Sequence, residues 1–189
     1  MKPVKCTVIG DFSVGKTSVI YSYLGKNINN VQTTLGIEFF TKSLKIKGED
    51  MVLTIWDTAG AERFQSLTDS YLRNSDVIII VYDLSKRTSN LSYWMRRAEQ
   101  HDASVIGVLG NKNDLTCANT EDLQDMLFPW TRQNFKIITG YGSSRNRDSL
   151  RHFFRKCLIG MTKNADEFSE FLPVVSLQQK TSKNRTCCS

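Results

Sequence analysis

Short apolar runs alternate with amphipathic stretches from residue 4 to about residue 162. Val4–Gly10 is rich in β-formers, ends at a glycine and predicts a strand, and Lys16–Leu24 predicts a helix. Phe39–Lys47 and Met51–Thr58 predict two strands around Gly48-Glu49-Asp50, a hairpin signal. Val77–Tyr82 (VIIIVY) and Val105–Leu109 are apolar throughout, as expected of strands covered on both faces. Leu91–Asp102 predicts a helix with Trp94 and Met95 inward. Thr120–Leu127 predicts another, with Thr120 as N-cap and Pro129 near its end. Lys136–Thr139 predicts the last strand. In Asp148–Met161 the apolar residues Leu150, Phe153, Phe154, Cys157, Leu158 and Met161 make one helical stripe. Strands alternating with helices imply βαβ crossovers. The expected fold class is α/β: a mostly parallel six-stranded sheet with one antiparallel edge strand and helices on both faces. Periodicity then stops. Residues 1–163 read as one domain and 164–189, polar and containing Pro173, as a flexible C-terminal tail.

Composition narrows the class. The chain has 189 residues, 40% of them apolar, which suits a single buried core. Lys plus Arg is 25 against 19 Asp plus Glu, a net charge of +6. That excess allows a weak pull toward anionic surfaces. Aromatic residues do not interleave with lysines in an RNA-binding pattern, so no nucleic-acid partner is expected. Mean hydropathy is −0.31. No apolar run approaches the roughly 18–20 residues of a spanning helix, and the start MKPVKCTVIG lacks a secretory pattern. Of the five cysteines, Cys6, Cys117 and Cys157 are scattered and expected to be reduced, and no CxxC spacing suggests zinc. Cys187 and Cys188 sit together near the end. Trp56, Trp94 and Trp130 read as packing residues. His101 and His152 read as surface residues on helices, and Arg96-Arg97 and Arg145-Asn146-Arg147 as solvated.

The chemistry-bearing signal follows the first strand. Gly10-Asp11-Phe12-Ser13-Val14-Gly15-Lys16-Thr17 fits GxxxxGK[ST] between a strand and a helix. Gly10 and Gly15 permit backbone angles that wrap amide N–H groups around phosphate oxygens. The helix N-terminus adds positive partial charge. Lys16 supplies a full charge to the β- and γ-phosphates, and the Thr17 hydroxyl suits Mg²⁺, which prefers oxygen. The strand Leu53–Asp57 runs into Asp57-Thr58-Ala59-Gly60. Asp57 is placed to hold Mg²⁺, often through water, and Gly60 can offer its backbone N–H to a γ-phosphate. Gly110-Asn111-Lys112-Asn113-Asp114 ends another strand. Asp114 suits the N1–H and 2-amino donors of guanine, which adenine lacks, a mismatch worth roughly 10⁴–10⁵ in discrimination. The Lys112 stem can lie along the base.

With these residues in register the chain resembles a small GTPase of the Ras superfamily, most closely the Rab family. The resemblance spans residues 4 to about 162 and the last few residues. It is carried by GDFSVGKTS (10–18), TTLGIEF (33–39), WDTAGAERF (56–64), SLTDSYLR (66–73), IVYDLS (80–85) and GNKNDL (110–115). It implies a phosphate-loop GTPase fold that binds GTP or GDP with Mg²⁺. Gly10 to Ser18, Thr34, Gly60, Asn111, Lys112 and Asp114 are the nucleotide contacts, with Ser143, Ser144 and Arg145 as the guanine-clasping loop in place of the family's Ser-Ala-Lys. Thr17, Thr34 and Asp57 are the implied metal ligands, and Lys16, Thr34, Gly60 and position 61 the catalytic set. Thr33–Phe39 is the implied switch I and Ala59–Arg73 switch II. Effectors, an exchange factor, a GDP-dissociation inhibitor and prenylation machinery are the expected partners of a monomer. The expected setting is the cytoplasmic face of an intracellular membrane, with a cytosolic pool.

The sequence departs from the family's pattern in three places. Ala61 stands where a glutamine orients the attacking water, and a methyl group cannot hydrogen-bond water. Phe12 occupies a phosphate-loop position that is usually small, where a benzyl group crowds the γ-phosphate and an activator's arginine. Lys26–Gln32 is about one residue short and has Asn27 or Ile28 in place of an aromatic over the guanine edge. The expectation is a trafficking switch with slow intrinsic hydrolysis. A non-hydrolysing nucleotide-binding module and a phosphate-loop kinase or ATPase are the alternatives. At the terminus a CaaX box fails, because the fourth residue from the end is Thr186. Paired cysteines there resemble Rab tails, so Cys187 and Cys188 are the expected lipidation sites. Two chains hold a membrane where one is marginal.

Overall fold

The computed structural model describes residues 1–34, 36–58, 65–86, 90–116, 123, 126–130 and 135–162. Among the described residues six strands form one sheet: β1 (Lys2–Ile9), β2 (Ile37–Ile46), β3 (Glu49–Thr58), β4 (Val77–Asp83), β5 (Val105–Asn111) and β6 (Lys136–Tyr141). Their order is β2-β3-β1-β4-β5-β6. Only the β2–β3 pair is antiparallel; β1 lies parallel to both β3 and β4, and β5 and β6 follow in parallel. The expected α/β sheet is therefore present. Four α-helices accompany it among the described residues: α1 (Lys16–Leu24), α2 (Gln65–Leu72), α3 (Leu91–Ala98) and α4 (Arg147–Gly160). None of them is long and apolar enough to cross a membrane.

Strand alternation divides the core. Val4, Cys6, Val8, Leu53, Ile55, Val77, Ile79 and Val81 face α1 and α4. Ile9, Ile78, Ile80, Ile106 and Val108 face α3, together with Leu72, Leu123, Leu127 and Trp130. The α4 stripe buries Leu150, Phe153, Phe154, Cys157 and Leu158, and Asn146 caps the helix by accepting from the Ser149 N–H at 3.2 Å. Cys6 and Cys157 are free buried thiols, and burial pushes both up, which suits packing rather than nucleophilic work.

Several sequence-based boundaries shift. The hairpin turn is Lys47-Gly48, not Gly48-Glu49-Asp50, because Ile46 pairs directly with Glu49. Both turn residues have positive φ, 47° and 88°, the geometry of a two-residue hairpin that matches strand twist. Helix α3 stops at Ala98 rather than Asp102, since its last inward residue is Ala98 and the chain then turns toward β5. Strands β4, β5 and β6 run one or two residues further than expected and deliver Asp83, Asn111 and Tyr141 to the sheet's C-terminal edge. Helix α2 carried no expectation of its own. Only Leu123 and residues 126–127 of the expected Thr120–Leu127 helix lie within the described residues, and Cys117 lies outside them.

The arrangement has a consequence for position. β1 is flanked on one side by β3 and on the other by β4, so the chain leaves it at a point where connections diverge. The loop after β1 lies at that divergence, where open α/β sheets place their ligands.

Candidate nucleotide and metal site

The loop between β1 and α1 is shaped by backbone freedom. Gly10 has φ 142°, and a Cβ there would lie 2.1 Å from the Val81 carbonyl oxygen, so only glycine fits. Ser13 and Gly15 also have positive φ, 63° and 93°, and the loop curls around its own centre. Lys16 turns back into that curl. Its ammonium donates to the Gly10 carbonyl at 2.9 Å and the Asp11 carbonyl at 2.8 Å. Burial lowers the Lys16 pKa to about 8, with the Asp57 and Asp11 charges opposing the shift.

Asp57, at the end of β3, is fully buried. Its Oδ2 accepts from the Thr17 hydroxyl at 2.6 Å and the Thr34 hydroxyl at 3.2 Å, while the two hydroxyl oxygens lie 2.9 Å apart. Residues from α1, the segment before β2, and β3 therefore converge on one point. Asp57 Oδ1 is buried with no hydrogen-bond partner among the described residues. Burial raises the Asp57 pKa, against the Thr17 hydrogen bond and the Lys16 charge. One unpaired carboxylate oxygen beside two hydroxyls is a hard oxygen donor set, and it fits Mg²⁺. Among the described residues no group of three or more His, Cys, Asp or Glu side chains offers a competing metal site. Phe12, 57% exposed, stands at the rim of the adjoining cleft, whose lining includes Lys16, Thr17, Gln32 and Thr34.

A second cluster joins the ends of β4, β5 and β6 to the same loop. Asn111 donates to the Val14 carbonyl at 2.9 Å and accepts from the Ser144 N–H at 3.1 Å. Lys112 donates to Asp83 at 2.7 Å and to the Ser13 carbonyl at 3.1 Å. Burial pushes the Asp83 carboxyl up, but Lys112 and Ser85 outweigh it and leave the pKa lowered. The Ser143 hydroxyl donates to Asp114 Oδ1 at 2.5 Å, and Arg145 lies 3.2 Å from Asp114 Oδ2. Asp114 is held below the usual carboxylate range chiefly by the Ser143 hydroxyl, with the Arg145 and Lys112 charges adding to it.

The structure thus brings Gly10 to Ser18, Thr34 and Asp57 together, and sets Asn111, Lys112, Asp114 and Ser143 to Arg145 beside them. Gly60, Ala61 and the segment 59–64 of the expected switch II lie outside the described residues, as do Cys187 and Cys188. Two expectations need correction, those for Arg97 and His101, and two further side chains have partners that no local pattern marks. Trp94 is buried as expected of packing, but its indole N–H also donates to Asp11 at 2.8 Å. Arg97 is not solvated: it meets Asp69 of α2 at 2.5 Å with its side chain 19% exposed. His101 lies beyond α3 rather than on it, mostly buried, 3.9 Å from the same Asp69. Arg145 is solvated as expected, its side chain 75% exposed, and also meets Asp114. Sequence reasoning passed over Asp83, although a carboxylate ending the apolar run VIIIVYD follows the same rule that singled out Asp57. The Trp94–Asp11 pair, 83 positions apart, left no local signal.

A curled glycine-containing loop, a buried cluster of hard oxygens and an adjoining carboxylate pocket at the switch point of a doubly wound sheet are the arrangement of the phosphate-loop α/β class. The Ras family model matches residues 5–147, and the chain belongs to the Ras family. Among similar curated proteins, the Ras-related protein RABC2b of Arabidopsis thaliana is 40% identical over 117 residues, covering 58% of this chain and 57% of that protein. The Ras-related protein Rab-19 of Mus musculus is 40% identical over 116 residues, covering 59% and 54%. Mouse Ras-related protein Rab-22A is 38% identical over 121 residues, covering 61% and 62%. The chain spans a little over half the length of these relatives.

Proposed function

We propose that this chain is a Rab-like GTP-binding switch in membrane traffic, with slow intrinsic hydrolysis. The observation that carries the reading is the grip of Asn111 and Lys112 on the Val14 and Ser13 carbonyls. It holds the Asp114 carboxylate in register with the phosphate loop, as a nucleotide with a guanine at one end and phosphates at the other requires. The loop amides and Lys16 hold the phosphates, and Asp114 with the Ser143–Arg145 loop reads the base. Thr17, Thr34 and Asp57 would hold Mg²⁺, which when bound neutralises phosphate charge. Thr34 sits in the expected switch I, so a bond it makes near the last phosphate can order that segment for an effector. Switch II from Ala59 to Arg73, an exchange factor, a dissociation inhibitor and an activating protein belong to the same reading.

Slow hydrolysis rests on Ala61, which cannot orient water, and on Phe12, whose exposed ring occupies the cleft rim. Single-turnover GTP hydrolysis on purified protein tests it, and a rate equal to that of ordinary Rab proteins refutes it. Ala61→Gln alone should restore turnover only in part, because Phe12 still obstructs. Competition between GTP and ATP tests the base preference; a preference for ATP ends the reading in favour of a kinase or ATPase. A non-hydrolysing module is the second reading, favoured by the same Ala61 and Phe12. Undetectable hydrolysis with tight GTP binding would select it. Lipidation at Cys187 and Cys188 would place the protein on the cytoplasmic face of an intracellular membrane. Intact mass of protein from eukaryotic cells should show two prenyl additions, and unmodified cysteines would refute this part.

A further inference from the structure

Asp11 puts a carboxylate into a loop whose amides face inward as if to receive anions. The main chain and side chain of Asp11 are anchored in opposite directions. Its carbonyl accepts from the Lys16 ammonium at 2.8 Å, facing the curl of the loop. Its carboxylate turns out to α3, where Oδ1 accepts from the Trp94 indole N–H at 2.8 Å and Oδ2 from the Asn90 amide at 3.1 Å. Both oxygens have a donor. The donors are neutral, so the charge persists; what they fix is its direction and its distance from the centre of the loop.

We infer that Trp94, assisted by Asn90, is a positioning residue that holds the Asp11 carboxylate away from the phosphate cradle and so sets the preference for a triphosphate over a diphosphate. The inference rests on the nucleotide-binding reading above. Like charges repel more as the ligand gains charge, and the repulsion falls with separation. A carboxylate released from α3 can swing toward the phosphates. It then penalises GTP more than GDP, because GTP brings the additional phosphate charge. A tether on the α3 side suppresses that penalty without removing the acid. Burial of Trp94 at 5% exposure keeps water from competing for its N–H. The same anchor fixes the backbone from which Phe12 projects over the rim of the cleft.

A packing role alone predicts something different. Loss of indole volume loosens the loop for every ligand, and both affinities fall together. Loss of the tether changes their ratio, and the change depends on the Asp11 charge. Fluorescent GTP and GDP analogues, titrated onto the full chain with Mg²⁺, separate these cases. In Trp94→Phe the GTP-to-GDP affinity ratio should fall roughly three- to tenfold. Adding Asp11→Asn to Trp94→Phe should bring the ratio back to the wild-type value, since the swinging group is then neutral. Asn90→Ala, at an exposed position that threatens folding little, should lower the ratio about two- to threefold. An unchanged ratio in Trp94→Phe and Asn90→Ala, an equal loss for both nucleotides, or failure of Asp11→Asn to rescue would each overturn the inference while leaving nucleotide binding intact. Absence of guanine-nucleotide binding by the wild-type chain would instead sink the functional reading, and this inference with it.

Discussion

Asp57 is the residue where folding and function pull apart. Its carboxylate is buried with one oxygen unpaired, which costs stability unless something cationic completes the site. Asp57→Asn should therefore leave the metal-free domain at least as stable by calorimetry; on the proposed function, Mg²⁺ should slow nucleotide dissociation from the wild type and not from this variant. A large loss of metal-free stability would show that the carboxylate is structural. His101 offers a test by pH. Burial lowers its pKa below 6.5, Asp69 opposes the shift, and Arg97 and Arg73 reinforce it. The folded state thus binds fewer protons than the unfolded chain. This contribution is complete above pH 6.5 and is lost as pH falls toward the lowered value. His101→Gln should flatten the stability–pH profile just below pH 6.5, as measured by urea midpoints. An unaltered slope would mean that the ring is solvated in the native state.

Helices and strands were legible where one face is apolar, and less so where a contact between elements decides. The VIIIVY run and the α4 stripe mark their elements because burial follows period directly. The end of α3 and the hairpin turn fall earlier than the pattern predicts, because each depends on where the next strand must begin. The phosphate loop and the Asn111–Asp114 motif were readable because the chemistry needs fixed residues at fixed spacing. Asp11–Trp94 and Asp69–Arg97 were not, since nothing local marks a partner on another helix. Helix α4 shows how tight such contacts are. A Cβ on Gly140 of β6 would come within 2.5 Å of Phe153 Cδ2, and Phe153 is only 3% exposed. Gly140→Ala should cost about 1–3 kcal/mol by overpacking, read as a lower denaturation midpoint with an unchanged m-value. Gly48→Ala, whose Cβ meets nothing within 4 Å but whose φ is 88°, should cost only the turn's backbone strain, about 1 kcal/mol.

Across the whole molecule, the site is assembled from segments far apart in sequence, so ligand and fold are thermodynamically one system. Lys16 and Thr17 begin α1, Asp57 is the penultimate residue of β3, and Asn111 ends β5. A nucleotide touching all of them binds only the folded chain, and its free energy adds to stability as RT ln(1 + [L]/Kd). At a thousandfold excess over Kd that is about 4 kcal/mol, or roughly 10 °C in midpoint for a chain of this size. The proposed chemistry makes the effect selective. GDP with Mg²⁺ should raise the melting temperature by about that amount, GDP with a chelator by clearly less, and ATP with Mg²⁺ by almost nothing. The order of the three decides between parts of the site. Equal shifts for GDP and ATP would mean that Asp114, already engaged by Ser143 and Arg145, does not read the base. No effect of the chelator would mean that the Thr17–Thr34–Asp57 cradle does not hold a metal. Both results together would leave only a phosphate-binding loop.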